Sequence, residues 1–165
     1  MEIKMKIAKR RRRENKTNYL KRLKLLKGHT PRIVFRKTNK YLICQYVLSE
    51  GAQDIIKLSS NSKELLKHGW PENLKGSLKS TSASYLLGIL IGSKILKEKL
   101  TSPIIDFGLQ RVLRKNKLHA FIKGLIDSGL DIKHKEEAFP NQERIEGKHL
   151  KKFPFEEIKS KILGK

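Results

Sequence analysis

The chain has 165 residues, and 38 Lys and Arg against 16 Asp and Glu leave a formal charge of +22, an excess that points to a polyanionic partner. One cysteine, Cys44, excludes an internal disulfide, and it shares no ligand-like spacing with the five histidines, which argues against a zinc site. The longest nearly apolar run, residues 85–92, is far short of the roughly 20 residues that span a bilayer, and the N-terminus lacks a signal-like apolar segment, so a soluble, cytoplasmic, unsecreted chain is expected.

The basic residues concentrate at the front, with 16 against 2 acidic side chains in residues 1–40 and 22 against 14 in residues 41–165. Arg10, Arg11, Arg12 and Arg13 stand in a row within residues 1–27, which hold twelve Lys or Arg against Glu2 and Glu14. A guanidinium pairs two donors at a time with phosphate oxygens, and four adjacent ones repel unless counter-charge is supplied. A nucleic acid backbone supplies it. Residues 1–28 are therefore predicted to be a basic arm ending in a short helix. On that helix Tyr19, Leu23 and Leu26 share a face, Thr17 or Asn15 caps the start and Gly28 the end. It docks lightly through this stripe, the alternative being a solvated helix that touches nothing.

β-Branched and aromatic residues over 32–37 and 41–48, separated by Thr38, Asn39 and Lys40, predict a β-hairpin with a basic tip. Residues 50–53 form a second turn before a strand at 54–58, which completes an antiparallel meander. Residues 60–68 read as a short helix stopped by Gly69, and 70–79 as a connector with few apolar anchors. From 81 to 100, Leu86, Leu87, Leu90, Ile91 and Ile95 mark a broad buried face on a long helix capped by Ser80, Thr81 or Ser82 and ended by Pro103. Gly88 and Gly92, four apart, are expected to let that helix lie close against a sheet.

Residues 104–109 read as a buried strand, and Leu118, Phe121, Ile122, Leu125 and Ile126 as a helix capped by Gly129. Between them Arg111, Arg114, Lys115 and Lys117 lead into a helix N-terminus, where cations and oriented N–H groups make an anion site or, alternatively, a plain surface loop. Beyond residue 131 the apolar pattern thins, 134–146 carries four glutamates facing a basic protein neighbour, and 153–163 forms a small peripheral helix using Phe155, Ile158 and Ile162. Strands and helices in this order imply an α/β domain, a mixed β-sheet with packed helices. The organisation is an arm at 1–28, a core at 29–133 and a C-terminal extension at 134–165.

Catalytic patterns are sparse. The chain has no G-x-x-x-x-G-K, G-x-G-x-x-G, G-x-S-x-G or H-x-x-x-H. A meander followed by helices resembles ribonuclease H-like nucleases, with Asp54, Asp106 and Asp127 as candidate metal-binding carboxylates. The first strand, however, lacks the central acid such sites need. Asp106 in an apolar strand instead accepts backbone or basic side-chain hydrogen bonds. RNA binding draws on the arm, the hairpin tip and the 111–117 loop, with Tyr19, Tyr41 and Tyr46 interleaved for stacking, Tyr19 and Tyr41 foremost.

The block Arg10, Arg11, Arg12, Arg13, Glu14, Asn15, Lys16, Thr17, Asn18, Tyr19, followed by Lys21, Arg22 and Leu23, resembles archaeal-type ribosomal protein eighteen of the large subunit, whose eukaryotic counterpart is large-subunit protein five. Pro31 to Val34, Arg36 to Lys40, Ser84 to Gly88, Ile105 to Leu109, residues 121–130 and residues 139–147 extend the resemblance over nearly the whole chain. It implies a structural, non-catalytic constituent of the large ribosomal subunit that binds 5S ribosomal RNA and attaches it to the central protuberance. The implied partners are 5S rRNA, large-subunit rRNA and a neighbouring 5S-binding ribosomal protein, with no membrane, small-molecule substrate, metal or cofactor. The family's contacts map onto Arg10, Arg11, Arg12, Arg13, Lys16, Thr17, Asn18, Tyr19 and Arg22, and onto Arg36, Lys37, Asn39 and Tyr41. Arg111, Arg114, Lys115 and Lys117 join them on charge alone, because archaeal relatives usually carry a Pro- and Gly-containing loop there. The competing readings are a basic RNA-binding assembly factor outside the mature ribosome and the metal-dependent nuclease.

Overall fold

The apolar alternation of residues 32–61 becomes an antiparallel meander of strands β1 (Arg32–Lys37), β2 (Leu42–Glu50) and β3 (Gln53–Asn61) in a computed structural model that describes residues 7–51, 53–150 and 153–164. The first six residues of the expected arm lie outside the described residues. Strand β3 runs three residues past its predicted end, since Ser59, Ser60 and Asn61 pair with Gln45, Cys44 and Ile43. Cross-strand pairing here overrides weak β-propensity. Asn61 then caps a 3-10 helix, Ser62–His68, in a reciprocal capping box with Glu64, and Gly69 ends it at φ +101°.

Helix α3 (Thr81–Lys97), capped by Ser80, leads to strand β4 (Ile104–Asp106), which pairs in parallel with β1 and gives a four-stranded mixed sheet in the order β3-β2-β1-β4. The helix ends at Lys97, well before Pro103, because Lys99 adopts a left-handed conformation that turns the chain away. Helix α4 (Lys117–Asp127), α5 (Gln142–Glu146) and α6 (Phe155–Leu163) follow. At the front lie one helical turn, α1 (Arg10–Arg13), and helix α2 (Tyr19–Leu26). The expected arm thus carries a helical turn at its four arginines.

Ile33, Phe35, Leu42, Cys44 and Tyr46 point from the sheet into one core with α3 and α4. Burial raises the Cys44 thiol pKa and leaves the group inert. Every residue of α3 from Thr81 to Gly92 is buried, a full girdle where sequence periodicity indicated one face. The reason is that α5 and α6 close the side away from the sheet: Ile145, Phe155, Ile158 and Ile162 all join the core. The helix expected at the periphery is therefore structural, and the Phe155 ring lies 5.7 Å from Tyr85. The connector at 70–79 is likewise anchored by buried Trp70 and Leu78, with the Trp70 ring 4.7 Å from Phe153.

Gly88 and Gly92 face α4, not the sheet. A side chain on Gly88 would strike the Phe121 carbonyl, and one on Gly124 would strike the Tyr85 carbonyl. Because Ser84 Oγ also donates to the Lys117 carbonyl at 2.7 Å, the contacts advance in the same direction along both helices. Helices α3 and α4 therefore run parallel, backbone against backbone.

Candidate nucleic-acid interface

The arm is the most exposed basic element. All four arginines of α1 are solvent-facing, and Glu14 is the acid within reach, 3.7 Å from Arg10 and 2.9 Å from Lys16. One acid cannot neutralise this group. Arg11 Nε donates to Thr17 Oγ1 at 2.9 Å, which sets the bend between α1 and α2. Asn18, and neither Thr17 nor Asn15, caps α2 by accepting the Lys21 N–H at 3.2 Å. Lys9 Nζ sits 4.8 Å above the Tyr19 ring, so this tyrosine already holds a cation on one face.

Helix α2 docks on the sheet face opposite the core, chiefly through polar bonds. Leu23 is 52% exposed, which removes it from the predicted stripe. Lys21 Nζ donates to the Gly108 carbonyl at 3.0 Å, and Arg22 Nη2 meets Asp54 Oδ2 at 2.8 Å. The helix ends at Leu26 with Lys27 as its C-cap, and His29, not Gly28, takes the left-handed turn. A cleft between α2 and the loop after β4 gathers the cations Arg11, Lys16, Lys21, Arg22 and Arg36 around the single acid Asp106.

Below that cleft, charges alternate across the sheet. Asp54 Oδ1 meets Arg32 Nη2 at 2.8 Å, Arg32 Nη1 lies 3.6 Å from Asp106 Oδ2, and Arg36 Nη2 reaches the same oxygen at 3.3 Å. Asp106 Oδ1 accepts the Gly108 N–H at 2.7 Å, and its carbonyl accepts Arg36 Nη1 at 2.8 Å. Asp106 thus takes the backbone and basic side-chain hydrogen bonds expected of it. Asp127 accepts the Tyr85 hydroxyl at 2.7 Å on the helical layer. Of the three carboxylates considered for a nuclease centre, Asp54 and Asp106 are bridged by Arg32 while Asp127 lies apart on the helical layer, and among the described residues no cluster of three metal-ligating groups occurs. Arg22 and Arg36 commit part of their donors to carboxylates, so they hold the arm as well as offering charge.

Burial pushes the Asp54 pKa up, but hydrogen bonds from Arg22 and Ser49 and the Arg32 and Arg22 charges outweigh it and hold the carboxyl below its ordinary value. A depressed folded-state pKa gives stability that is complete above the unfolded value, about 4, and is lost as pH falls through the folded one. Thermal unfolding between about pH 6 and pH 2 should therefore show an acid-sensitive limb that Asp54→Asn flattens. A limb of the same height in D54N would assign the acid sensitivity to other groups.

At the hairpin tip, Thr38 Oγ1 accepts the Tyr41 N–H at 2.9 Å, fixing the turn, and Lys63 Nζ lies 4.8 Å from the half-buried Tyr41 ring. Tyr46 belongs to the core: it is 1% exposed and donates to the Thr101 carbonyl at 2.9 Å. Alternation along β2 turns it inward, which removes it from the stacking candidates. Arg111, Arg114 and Lys115 are exposed, with the Lys115 N–H bonded to the Ala138 carbonyl at 2.8 Å. The N–H groups expected to take an anion at the start of α4 are instead occupied, since Asn116 Oδ1 accepts Leu118 N–H at 2.8 Å and His119 N–H at 3.3 Å.

Sequence reading missed Lys79 and Arg144. Lys79 Nζ donates to the Asn39 carbonyl at 2.7 Å, and the Arg144 carbonyl is within 3.5 Å of Ser82 Oγ. Burial, followed by the nearby Lys79, Lys37 and Arg144 charges, lowers the Lys117 pKa. The one available signal for Lys79 was its place beside the Ser80 cap. Arg144 lies in an otherwise acidic segment and gave none.

Residues 3–102 match the family of ribosomal large subunit proteins 60S L5 and 50S L18. The chain is 40% identical over 148 residues to the large ribosomal subunit protein uL18 of Korarchaeum cryptofilum, covering 90% of this chain and 74% of the relative. It is 38% identical over 167 residues to the uL18 of Methanococcoides burtonii, covering 96% and 94%. A third uL18, from Methanospirillum hungatei, is 40% identical over 147 residues, covering 89% and 82%.

Proposed function

The chain belongs to the family of ribosomal large subunit proteins 60S L5 and 50S L18, and on that premise we propose that it is a structural, non-catalytic constituent of the large subunit in the cytoplasm that binds 5S ribosomal RNA and attaches it to the central protuberance. The supporting observation is the exposed turn of Arg10, Arg11, Arg12 and Arg13, tied by the Arg11–Thr17 bond to the start of helix α2, whose position is fixed by Arg22 on Asp54 and Lys21 on Gly108. Mobile cations would cost more entropy to order on RNA than cations mounted on a docked element.

The contact set begins with that turn, Lys16, Thr17, Asn18, Tyr19 and Arg22, and continues through Arg36, Lys37, Asn39 and Tyr41 to Arg111, Arg114, Lys115 and Lys117. Large-subunit rRNA and a neighbouring 5S-binding ribosomal protein complete its surroundings. Competitive binding to 5S rRNA against an equally long structured RNA, titrated across salt at physiological magnesium, tests the reading. A preference for 5S rRNA that survives high salt is expected, since charge alone loses its hold there. Parallel collapse on both RNAs would leave a generic polycation. Replacing all four α1 arginines with alanine should also lower the salt slope by roughly 0.7–0.9 per lost phosphate contact.

A further inference from the structure

We infer that the edge where α3 and α4 begin side by side is a second phosphate-backbone site for RNA, formed by Lys37, Lys79, Lys117 and Arg144 and distinct from the N-terminal arm; the inference rests on the RNA-binding reading above.

Four segments distant in sequence converge there. Lys79 Nζ bonds the hairpin tip through the Asn39 carbonyl, Ser84 of α3 bonds the Lys117 carbonyl, and Ser82 reaches the Arg144 carbonyl of α5. The parallel arrangement of α3 and α4 brings two positive dipole ends to one edge, where an antiparallel pair would have cancelled them. Neither helix carries an acidic residue in its first turn. Among the described residues, none of the four cations is paired with a carboxylate.

The contrast with the sheet's outer face is informative. There, arginines and aspartates alternate and neutralise one another, which is what charges used for internal support do. At the helix junction the four cations lack carboxylate partners among the described residues, and the proton affinity of half-buried Lys117 is lowered first by its burial and then by the Lys79, Lys37 and Arg144 charges. Such a group is held at a cost to the free protein that an incoming polyanion removes. Because Ser80 and Asn116 already occupy N–H groups of both helix starts, the side-chain cations are the binding groups. Point charges of this kind attract phosphates without reading sequence.

RNA is favoured over an acidic peptide by position. Arg36 and Lys37 are successive residues of β1 and so point to opposite faces of the sheet. Arg36 lines the arm cleft, whereas Lys37 lies on the other face, two residues before the Asn39 carbonyl that holds Lys79 and near enough for its charge to act on Lys117. A phosphate backbone held at the arm can therefore continue over this end of β1 to the junction.

The test uses the full chain and 5S rRNA, comparing the native protein with a Lys79→Gln, Lys117→Gln, Arg144→Gln variant, the four-arginine arm variant and their combination. We expect the junction variant to bind about tenfold or more weakly near physiological salt and to lower the salt slope by roughly 0.7–0.9 per lost contact, adding to the arm's effect. Its RNA-free melting temperature should hold or rise, since mutually repelling charges are removed. Native affinity and slope in the junction variant, with both reduced in the arm variant, would overturn the site while leaving the arm reading intact. No change in either variant would sink the RNA-binding reading and the junction with it. Loss of poly-glutamate binding with an unchanged RNA slope would also overturn it and reassign the surface to an acidic protein. Should the triple variant fail to fold, Lys117→Gln alone decides on the same slope criterion.

Discussion

Replacing Arg32 with methionine is expected to lower the unfolding free energy by about 3 kcal/mol, the lower part of the range for breaking a buried ion pair. Arg32 is 1% exposed, and its guanidinium donates to Ser49 Oγ at 2.9 Å and Asp54 Oδ1 at 2.8 Å while approaching Asp106. Methionine fills much of the same volume, so the loss reports charge and not a cavity. The two aspartates keep Arg22 and Arg36 respectively, which limits the penalty. Arg22 and Arg36 would then be drawn further toward the carboxylates and away from RNA, so 5S rRNA affinity should fall even in the folded fraction. Urea unfolding and RNA titration on the same variant check both halves. A stability change under about 1 kcal/mol would mean that the outer arginines alone neutralise Asp54 and Asp106.

Gly124→Ala is expected to destabilise by at least about 1–3 kcal/mol, the usual cost of overpacking, although alanine is ordinarily the better helix former by about 1 kcal/mol. The added methyl would enter the Tyr85 carbonyl and press on Ile89 N at 3.1 Å, and both are backbone atoms of α3 that cannot rotate away. Relief requires parting the helices along their whole contact. Gly76→Ala is the matched control, because nothing lies within 4 Å of its added Cβ. That variant should be neutral or gain a few tenths of a kcal/mol from lost unfolded-state freedom. The opposite signs are the result to look for in denaturant midpoints; equal, small effects would show that α3 and α4 slide apart cheaply. Since the same contact sets both helix starts beside each other, Gly124→Ala should also weaken the junction of Lys79 and Lys117.

Much of the fold was legible because its signals are local. Strand alternation in residues 32–48, the apolar spacing of α3 and α4 and the turn glycines each depend on neighbours a few positions away. The same holds for the arm, since adjacent arginines advertise their charge regardless of how the chain folds. Resemblance to a known family then pointed to the proposed RNA partner, which charge by itself leaves generic.

What the sequence by itself determined was therefore the inventory: a surplus of cations placed at the front, a meander, two principal helices and Asp106 in an apolar strand. Tertiary structure alone decided which of these meet. It turned Tyr46 into the core, gave Asp54 and Asp106 to arginines, set Gly88 and Gly92 against α4, and drew α6 onto α3. It also gathered Lys37, Lys79, Lys117 and Arg144 from four separate segments. The physical reason is that pairing, burial and electrostatic crowding depend on distances between residues far apart in the chain. Those distances are set by how strands and helices stack, and no local pattern encodes them.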